Sequence, residues 1–306
     1  MNILIVGLGS IAKKHIKAIR ALNIKASIYA LRSSSSSDIY EGVTNILSIE
    51  DIKVEPDFII ISNPTHLREQ AILESLKFDC PLFIEKPVLS DLKNALQITE
   101  LIAEKKVMTY VACNMRFHPG INYIKTYIES TQPEINEVNI YCGSYLPDWR
   151  PETEFRKSYS ANENMGGGVH LDLIHELDYC VWLFGIPLKV ESVKRKVSTL
   201  KIDAVDYANF TLSYEKFTVN IILNYYRVDA RREIELVCSN ETLVVDLLKN
   251  RIQSILSGRV MYEAPFNMSD TLESQMHYFI TQLQAKYEPD NNLEMGVQVL
   301  KIALHE

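Results

Sequence analysis

Ile3-Leu4-Ile5-Val6-Gly7-Leu8-Gly9-Ser10-Ile11-Ala12 opens the chain. Four apolar residues read as a strand, and the Gly7-x-Gly9-x-x-Ala12 spacing reads as the turn that carries a strand into a dinucleotide-binding helix. The first glycine makes the tight turn, the second lets backbone approach a pyrophosphate, and alanine at the third position permits close helix–strand packing. The following helix offers unpaired N–H groups and the positive end of its dipole to phosphates. The context fits, because the motif follows a strand and opens a segment with Ile16, Ile19 and Leu22 at helical spacing. Gly7, Gly9, Ser10 and Ile11 are therefore cofactor-binding candidates; the alternative is a structural strand–helix turn.

Further along, short apolar runs alternate with amphipathic stretches. Strands are expected at Ala26–Leu31, Asp57–Ser62, Pro81–Ile84 and Val107–Cys113, with helices at Thr65–Leu76 and Asp91–Lys105. Asp57–Ser62 is nearly continuous in apolar residues, as a parallel strand covered on both faces should be. This order predicts a doubly wound parallel sheet, an N-terminal Rossmann domain over residues 1–118. After about Pro119 the pattern changes. Glu137–Ser144, Lys189–Val197, Tyr207–Tyr214, Thr218–Tyr225, Arg232–Ser239 and Glu241–Asp246 read as strands, and Leu272–Gln284 and Glu294–Leu304 as helices. The expectation for 119–306 is an α+β domain with an open, mostly antiparallel sheet that binds substrate and builds oligomers, its last helix packing back on the first domain.

The chain has 306 residues, 47% hydrophobic, with a formal net charge of −7. Such a chain can bury a large core, and its charge argues against a nucleic-acid surface. Cys80, Cys113, Cys142, Cys180 and Cys238 are scattered without zinc spacing, so no metal site is expected and a reducing compartment is. No basic leader or long apolar span is evident, which predicts a soluble cytoplasmic protein with no membrane partner.

The end of the second strand bears on the nucleotide. An acid about 20 residues past the glycines binds the ribose 2′-hydroxyl of NAD. Here Arg32, Ser33 and Ser34 occupy that place, and no acid follows until Asp38. These donors suit a 2′-phosphate, so NADP is favoured over NAD; the alternative is a flexible serine loop. Asn63 and Pro64 leave the fourth strand at the same carboxyl edge and suit the nicotinamide side, while His66 is open between site, cap and surface. Glu85-Lys86-Pro87 leaves the next strand at that edge, where ligands of open α/β sheets bind.

The GLGSIA start, Phe83-Ile84-Glu85-Lys86-Pro87, and Gly166-Gly167-Gly168-Val169-His170-Leu171-Asp172-Leu173-Ile174-His175-Glu176 together resemble the glucose–fructose oxidoreductase / inositol dehydrogenase (Gfo/Idh/MocA) family across most of the chain. The resemblance implies an enzyme that transfers hydride between nicotinamide and a hydroxyl carbon of a sugar, cyclitol or sugar nucleotide. It also implies that Lys86 contacts the reacting hydroxyl and the nicotinamide ribose, and that Asp172 and His175 complete the substrate site with histidine as acid/base. Histidine titrates near neutrality, and a lysine charge can stabilise a developing alkoxide. The family spacing is Asp-x-x-x-His; this chain has Asp172-x-x-His175, with Glu176 at the usual place, so Glu176 and His170 stay open as substitutes. The family often carries histidine near position 68, where this chain has Arg68, facing an anion or solvent.

Arg116, in the crossover after the last Rossmann strand, is a substrate-binding candidate or an ion-pair partner. Tyr145-Leu146-Pro147-Asp148-Trp149-Arg150-Pro151 is an aromatic, charged loop in which Trp149 can stack on a sugar and Arg150 can pair with phosphate or carboxylate. It is similar to segments of family members in surface-polysaccharide or amino-sugar metabolism; the alternative is Trp149 packed on the sheet. Arg231 and Arg232 could also reach substrate or a partner subunit. Two other functions remain: a redox-neutral, epimerase-like enzyme with retained cofactor, and a non-catalytic NADP-sensing protein. An open apolar sheet face predicts a homodimer or homotetramer.

Overall fold

A computed structural model of the chain describes residues 1–34 and 39–305. Asp38 and the serines at 35–37 lie outside the described residues. The chain divides into two units, Met1–Cys113 with Ser269–Leu300, and Asn114–Met268 with the last residues from Lys301.

In the first unit, β1 (Asn2–Val6) has Ile3, Leu4 and Ile5 wholly buried, as a central parallel strand requires. Helix α1 (Ser10–Ala21) turns Ala12, His15, Ile16 and Ile19 inward. Then follow β2 (Ser27–Leu31), β3 (Val43–Ile46), β4 (Phe58–Ile61), α2 (Arg68–Ser75), β5 (Leu82–Glu85), α3 (Ala95–Lys105) and β6 (Thr109–Ala112). All pairs in the six-stranded sheet, ordered β3-β2-β1-β4-β5-β6, are parallel. The strand order reverses between β1 and β4, so a ligand crevice opens outside their carboxyl ends. Two helices are shorter than expected. Pro64 and the tight turns at Thr65–Leu67 and Leu76–Phe78 trim α2 at both ends. The Asp91 carboxylate accepts from the Lys93 amide at 2.9 Å, a local bond that competes with helix, so α3 begins only at Ala95.

The second unit begins with α4 (Pro119–Thr131), which the strand-dominated reading of this half overlooked. Proline at its first position and the His118 ring accepting from the Gly120 amide at 3.0 Å start it. The chain continues through β7 (Ile135–Tyr145), α5 (Val169–Asp172), α6 (His175–Phe184), β8 (Lys189–Arg195), β9 (Tyr207–Ser213), β10 (Thr218–Asn224), β11 (Tyr226–Cys238), β12 (Thr242–Asp246), β13 (Arg251–Ser254) and β14 (Val260–Glu263). The eight-stranded sheet runs β14-β13-β12-β11-β7-β10-β9-β8 and is antiparallel except for β7 beside β10. Burial alternates along β9 and β10, with Ala208, Phe210, Leu212, Val219 and Ile221 on the buried face, where α5 packs. The opposite face is polar across its middle rather than apolar. Glu235 accepts from Asn139 at 2.8 Å, Asn139 from Asn220 at 3.3 Å, and Asn220 from Thr211 at 3.3 Å, a ladder over four strands. No described helix is long and apolar enough to cross a membrane.

Two last helices, α7 (Met268–Ala285) and α8 (Leu293–Leu304), follow, and Ser269–Leu300 belongs to the first unit. Phe279 of α7 is fully buried, its ring centroid 5.1 Å from Phe58, 5.3 Å from Phe83 and 5.7 Å from Tyr110. Phe279→Ala is expected to cost about 3–5 kcal/mol, read as a lower urea midpoint; an unchanged midpoint would show that α7 adds nothing to this core.

Candidate active site

The carboxyl edge of the first sheet is built for close approach. Gly7 has φ +85, and a Cβ there would lie 2.9 Å from the Asn63 Cα, so the β1–α1 turn requires glycine twice over. The Ser62 hydroxyl donates to the Gly7 carbonyl at 2.9 Å and fixes this turn to the end of β4. Above Gly9 the space that a Cβ would enter is open, and Gly9 caps α1 without any side-chain bond to its first amides. With no acid in the first turn of α1, the exposed Gly9 and Ser10 present donors and the positive dipole end. These features fit the pyrophosphate of a dinucleotide. Ile11 is half-buried beside them, and Arg32, Ser33 and Ser34 leave β2 at the same edge, Arg32 half-buried and both serines exposed.

Glu85 ends β5 and is buried. Its carboxylate lies 2.5 Å from Nε2 of His15, on the inward stripe of α1, and also accepts from the Lys86 amide at 3.2 Å. Burial alone would raise the Glu85 pKa. The His15 hydrogen bond, with the charges of His15, Arg68 and Lys86, outweighs it and holds the carboxyl below the usual carboxylate value. The stability it lends is present above pH 4.5 and is lost as pH falls through its lowered pKa. Lys86 follows, half-buried and joined to Pro87 by a cis peptide bond. Asn63 and Pro64 leave β4 next to the Gly7 turn, while His66 is exposed. Arg68 is buried, and its guanidinium bonds main-chain oxygens of Asn63 and Pro87.

In the second unit, Asp172 and His175 do not share a continuous helix. The chain breaks at Leu173-Ile174, so Asp172 ends α5 and His175 begins α6. Asp172 is buried and accepts from the Tyr225 hydroxyl at 2.5 Å. Tyr159 hydrogen-bonds the same carboxylate. Burial and then the Asp172 charge push both phenols well above their ordinary range, so both act as donors and do not titrate near neutrality. Trp149 sits edge-on to Tyr225 at 5.4 Å and donates from its indole N–H to the Ser144 hydroxyl at 2.9 Å. Arg150 lies over the Tyr159 ring at 5.3 Å. Two tyrosines thus join Trp149 and Arg150 to Asp172, and Trp149 keeps 37% of its surface exposed. Gly167 allows this packing, because a Cβ there would collide with the carbonyl oxygens of Tyr159, Ser160 and Asn162.

Other candidates are held elsewhere in this unit. Arg116 makes a two-pronged buried pair with Asp178, at 2.9 and 2.8 Å, and lies over Trp182. Glu176 is fully buried and accepts from Arg232 at 2.6 Å, which places both in an ion pair. Arg231 bonds Glu233 at 2.7 Å and covers Tyr141. His170 is buried, and burial together with the Lys194 charge pushes its pKa down to about 4. A base that weak is poorly matched to neutral-pH proton transfer. Among the described residues no group of acids, histidines and cysteines could hold a metal ion. His15 and Tyr225 were not singled out from sequence. His15 left a signal, a histidine among Ala12, Ile16 and Ile19 on the apolar stripe of α1; Tyr225 left none.

A family model described as "Oxidoreductase family, NAD-binding Rossmann fold" matches residues 1–113, and one described as "GFO/IDH/MocA C-terminal domain" matches 130–244. The chain belongs to the Gfo/Idh/MocA oxidoreductase family. It is 23% identical over 171 residues to levoglucosan dehydrogenase of Pseudarthrobacter phenanthrenivorans, a match covering 55% of this chain and 42% of that one. It is 26% identical over 195 residues to scyllo-inositol 2-dehydrogenase (NAD(+)) of Bacillus subtilis, covering 59% and 53%. The chain spans about half the length of these relatives. The structure of the WlbA dehydrogenase from Bordetella pertussis in complex with NADH and UDP-GlcNAcA matches with a TM-score of 0.83 at 18% identity, covering 99% of this chain and 94% of that one. Scyllo-inositol dehydrogenase from Lactobacillus casei, with NAD(H) and scyllo-inositol, gives 0.80 at 20% identity, covering 99% and 95%. At these identities the structural likeness shows the fold.

Two buried histidines set an acid limit on the second unit. His118 is pushed down to about 4 by burial and then by the Arg232 charge, against the raising effect of its bond to the Leu247 carbonyl. His170 falls to about the same value. In the unfolded chain both titrate near 6.5, so between 6.5 and 4 the unfolded chain binds more protons. Stability is therefore complete above pH 6.5 and falls as pH drops toward 4, by up to about 3 kcal/mol for each histidine. Urea unfolding at pH 7.5 and pH 4.5 reads this loss; equal midpoints would contradict it.

Proposed function

We propose that the chain is a nicotinamide-dependent oxidoreductase that interconverts a hydroxyl carbon and a carbonyl of a sugar, cyclitol or sugar nucleotide, with NADP(H) preferred. The observation that carries this reading is Lys86, which directly follows the buried Glu85–His15 pair at the same sheet edge as a turn fitted to a pyrophosphate. The relatives support the substrate class, since they act on levoglucosan and scyllo-inositol, and a structure of the same fold carries a uridine-linked sugar.

Gly7, Gly9, Ser10 and Ile11 hold the pyrophosphate, and Asn63, Pro64 and Glu85 shape the nicotinamide side. The bound nicotinamide supplies the hydride acceptor or donor. In oxidation the substrate C–H bond yields a hydride and its O–H bond a proton, leaving a carbonyl. The Lys86 ammonium stabilises the oxygen as negative charge develops on it. His175 takes the hydroxyl proton and returns it in the reverse direction. Asp172, held by two phenol donors, accepts a hydrogen bond from substrate, and Trp149 and Arg150 extend the same cluster toward a sugar face and an anionic substituent. Arg116, committed to Asp178, supports α6 rather than substrate.

NADP(H) preference rests on Arg32, Ser33 and Ser34, donors at the point where an acid would repel a 2′-phosphate. Arg32→Ala is expected to weaken NADPH binding about tenfold, the scale of one charged hydrogen bond, and to leave NADH unchanged. Equal effects on both would return the preference to NAD.

Nicotinamide absorbance, followed in both directions with free sugars, cyclitols and uridine-linked sugars, tests the reaction. Turnover with one class should fall about 10²–10³-fold in Lys86→Met. Silence across the panel, with cofactor retained through purification, would favour the redox-neutral reading instead.

A further inference from the structure

Arg68 opens α2 and is only 4% exposed. One guanidinium nitrogen donates to the Asn63 carbonyl at 3.0 Å, and another donates to the Pro87 carbonyl. These two oxygens belong to the segments leaving β4 and β5, the neighbouring strands that bear Asn63 and Lys86 at the ligand edge. The same charge acts on the buried Glu85 carboxylate between them in the motif. Packing alone gives no reason for a cation here. The other inward positions of α2 are Ala71, Ile72 and Ser75, and a buried guanidinium is costly unless its donors are used. Arginine's rigid fork of five donors suits oxygens on two separate segments; a lysine's single ammonium does not match it.

We infer that Arg68 is a positioning residue that clamps the Asn63 and Lys86–Pro87 segments into one arrangement, and so sets the Lys86 ammonium against the nicotinamide-ribose half of the dinucleotide. This rests on the reading of Lys86 given above. The adenosine half is held independently. The Gly7 amide bonds the Leu31 carbonyl at 3.0 Å, and Ser62 bonds Val6 and Gly7, without Arg68 taking part. Loss of Arg68 should therefore separate the two halves of the cofactor.

The test is calorimetric titration of wild type, Arg68→Met and Arg68→Lys with NADPH and with 2′-phospho-ADP-ribose, which lacks nicotinamide and its ribose, repeated with NADH and ADP-ribose. Melting temperatures are recorded alongside. Arg68→Met should weaken NADPH about tenfold, the scale of one charged hydrogen bond, and change 2′-phospho-ADP-ribose by less than about twofold. Arg68→Lys, keeping the charge but not the fork, should fall between wild type and Arg68→Met for NADPH, and it carries the comparison if Arg68→Met fails to fold. Equal weakening of both ligands, or unchanged binding with a lowered melting temperature, would overturn the inference and leave Arg68 as packing. Wild type binding both ligands equally tightly would instead overturn the Lys86 reading, and the inference with it.

Discussion

An ionised carboxylate buried at the end of a strand must have its oxygens partnered, and the ligand edge of the first unit is arranged around that requirement. Glu85 receives His15 from α1, the amide of Lys86, and the nearby charges of Arg68 and Lys86. His15 stands on α1, the helix that follows the Gly7–Gly9 turn, so one bond ties that helix to the segment bearing Lys86. Arg68 adds the ends of β4 and β5 to the same assembly. Lys86 therefore follows a fixed backbone segment. Such preorganisation is what a site needs when charge develops on a substrate oxygen.

The second unit treats Asp172 in a similar way by different means. Its partners include two phenols, the buried Tyr225 and the half-buried Tyr159, donors whose own protons stay put at neutral pH. The same rings carry Trp149 and Arg150, so contacts join the loop after β7 to the end of α5. The break between α5 and α6 follows from this arrangement. Asp172 is held back against Tyr225 while α6 restarts at His175, with Glu176 and Asp178 sunk into pairs with Arg232 and Arg116. The three-residue spacing of Asp172 and His175 is thus read across a turn.

Much of the fold could be read from periodicity. The βαβ order of the first half, the glycine turn and the near-continuous apolar run at β4 lead to the parallel sheet because each strand must be buried on both faces. The long strands of the second unit were legible for the same reason, since their apolar positions alternate. Other elements were not read: α4, although Ile121, Ile124 and Ile128 stand at helical spacing, and the strands β3, β13 and β14, each only four residues long. For the candidate site, the motif residues Gly7, Gly9, Lys86, Asp172 and His175 could be named from sequence because each sits in a recognisable pattern. Their supports were less legible: Arg68 drew notice only as a departure from the family pattern, and its bonds to the Asn63 and Pro87 carbonyls, like the tie of Tyr225 to Asp172 53 positions away, come from the folded chain. Arg116 and Glu176 show the converse. Both are polar residues near motifs, and their roles as buried ion-pair partners are set by Asp178 and Arg232, 62 and 56 positions away.

On this reading the carboxyl edge of β1, β4 and β5 takes a dinucleotide whose nicotinamide half meets Lys86. A crystal structure with NADPH bound decides it: pyrophosphate is expected against the amides of Gly9 and Ser10, with the Lys86 ammonium within hydrogen-bonding distance of the nicotinamide ribose. Nicotinamide turned away from Lys86, or a cofactor bound anywhere other than the Gly7–Gly9 turn, would contradict it.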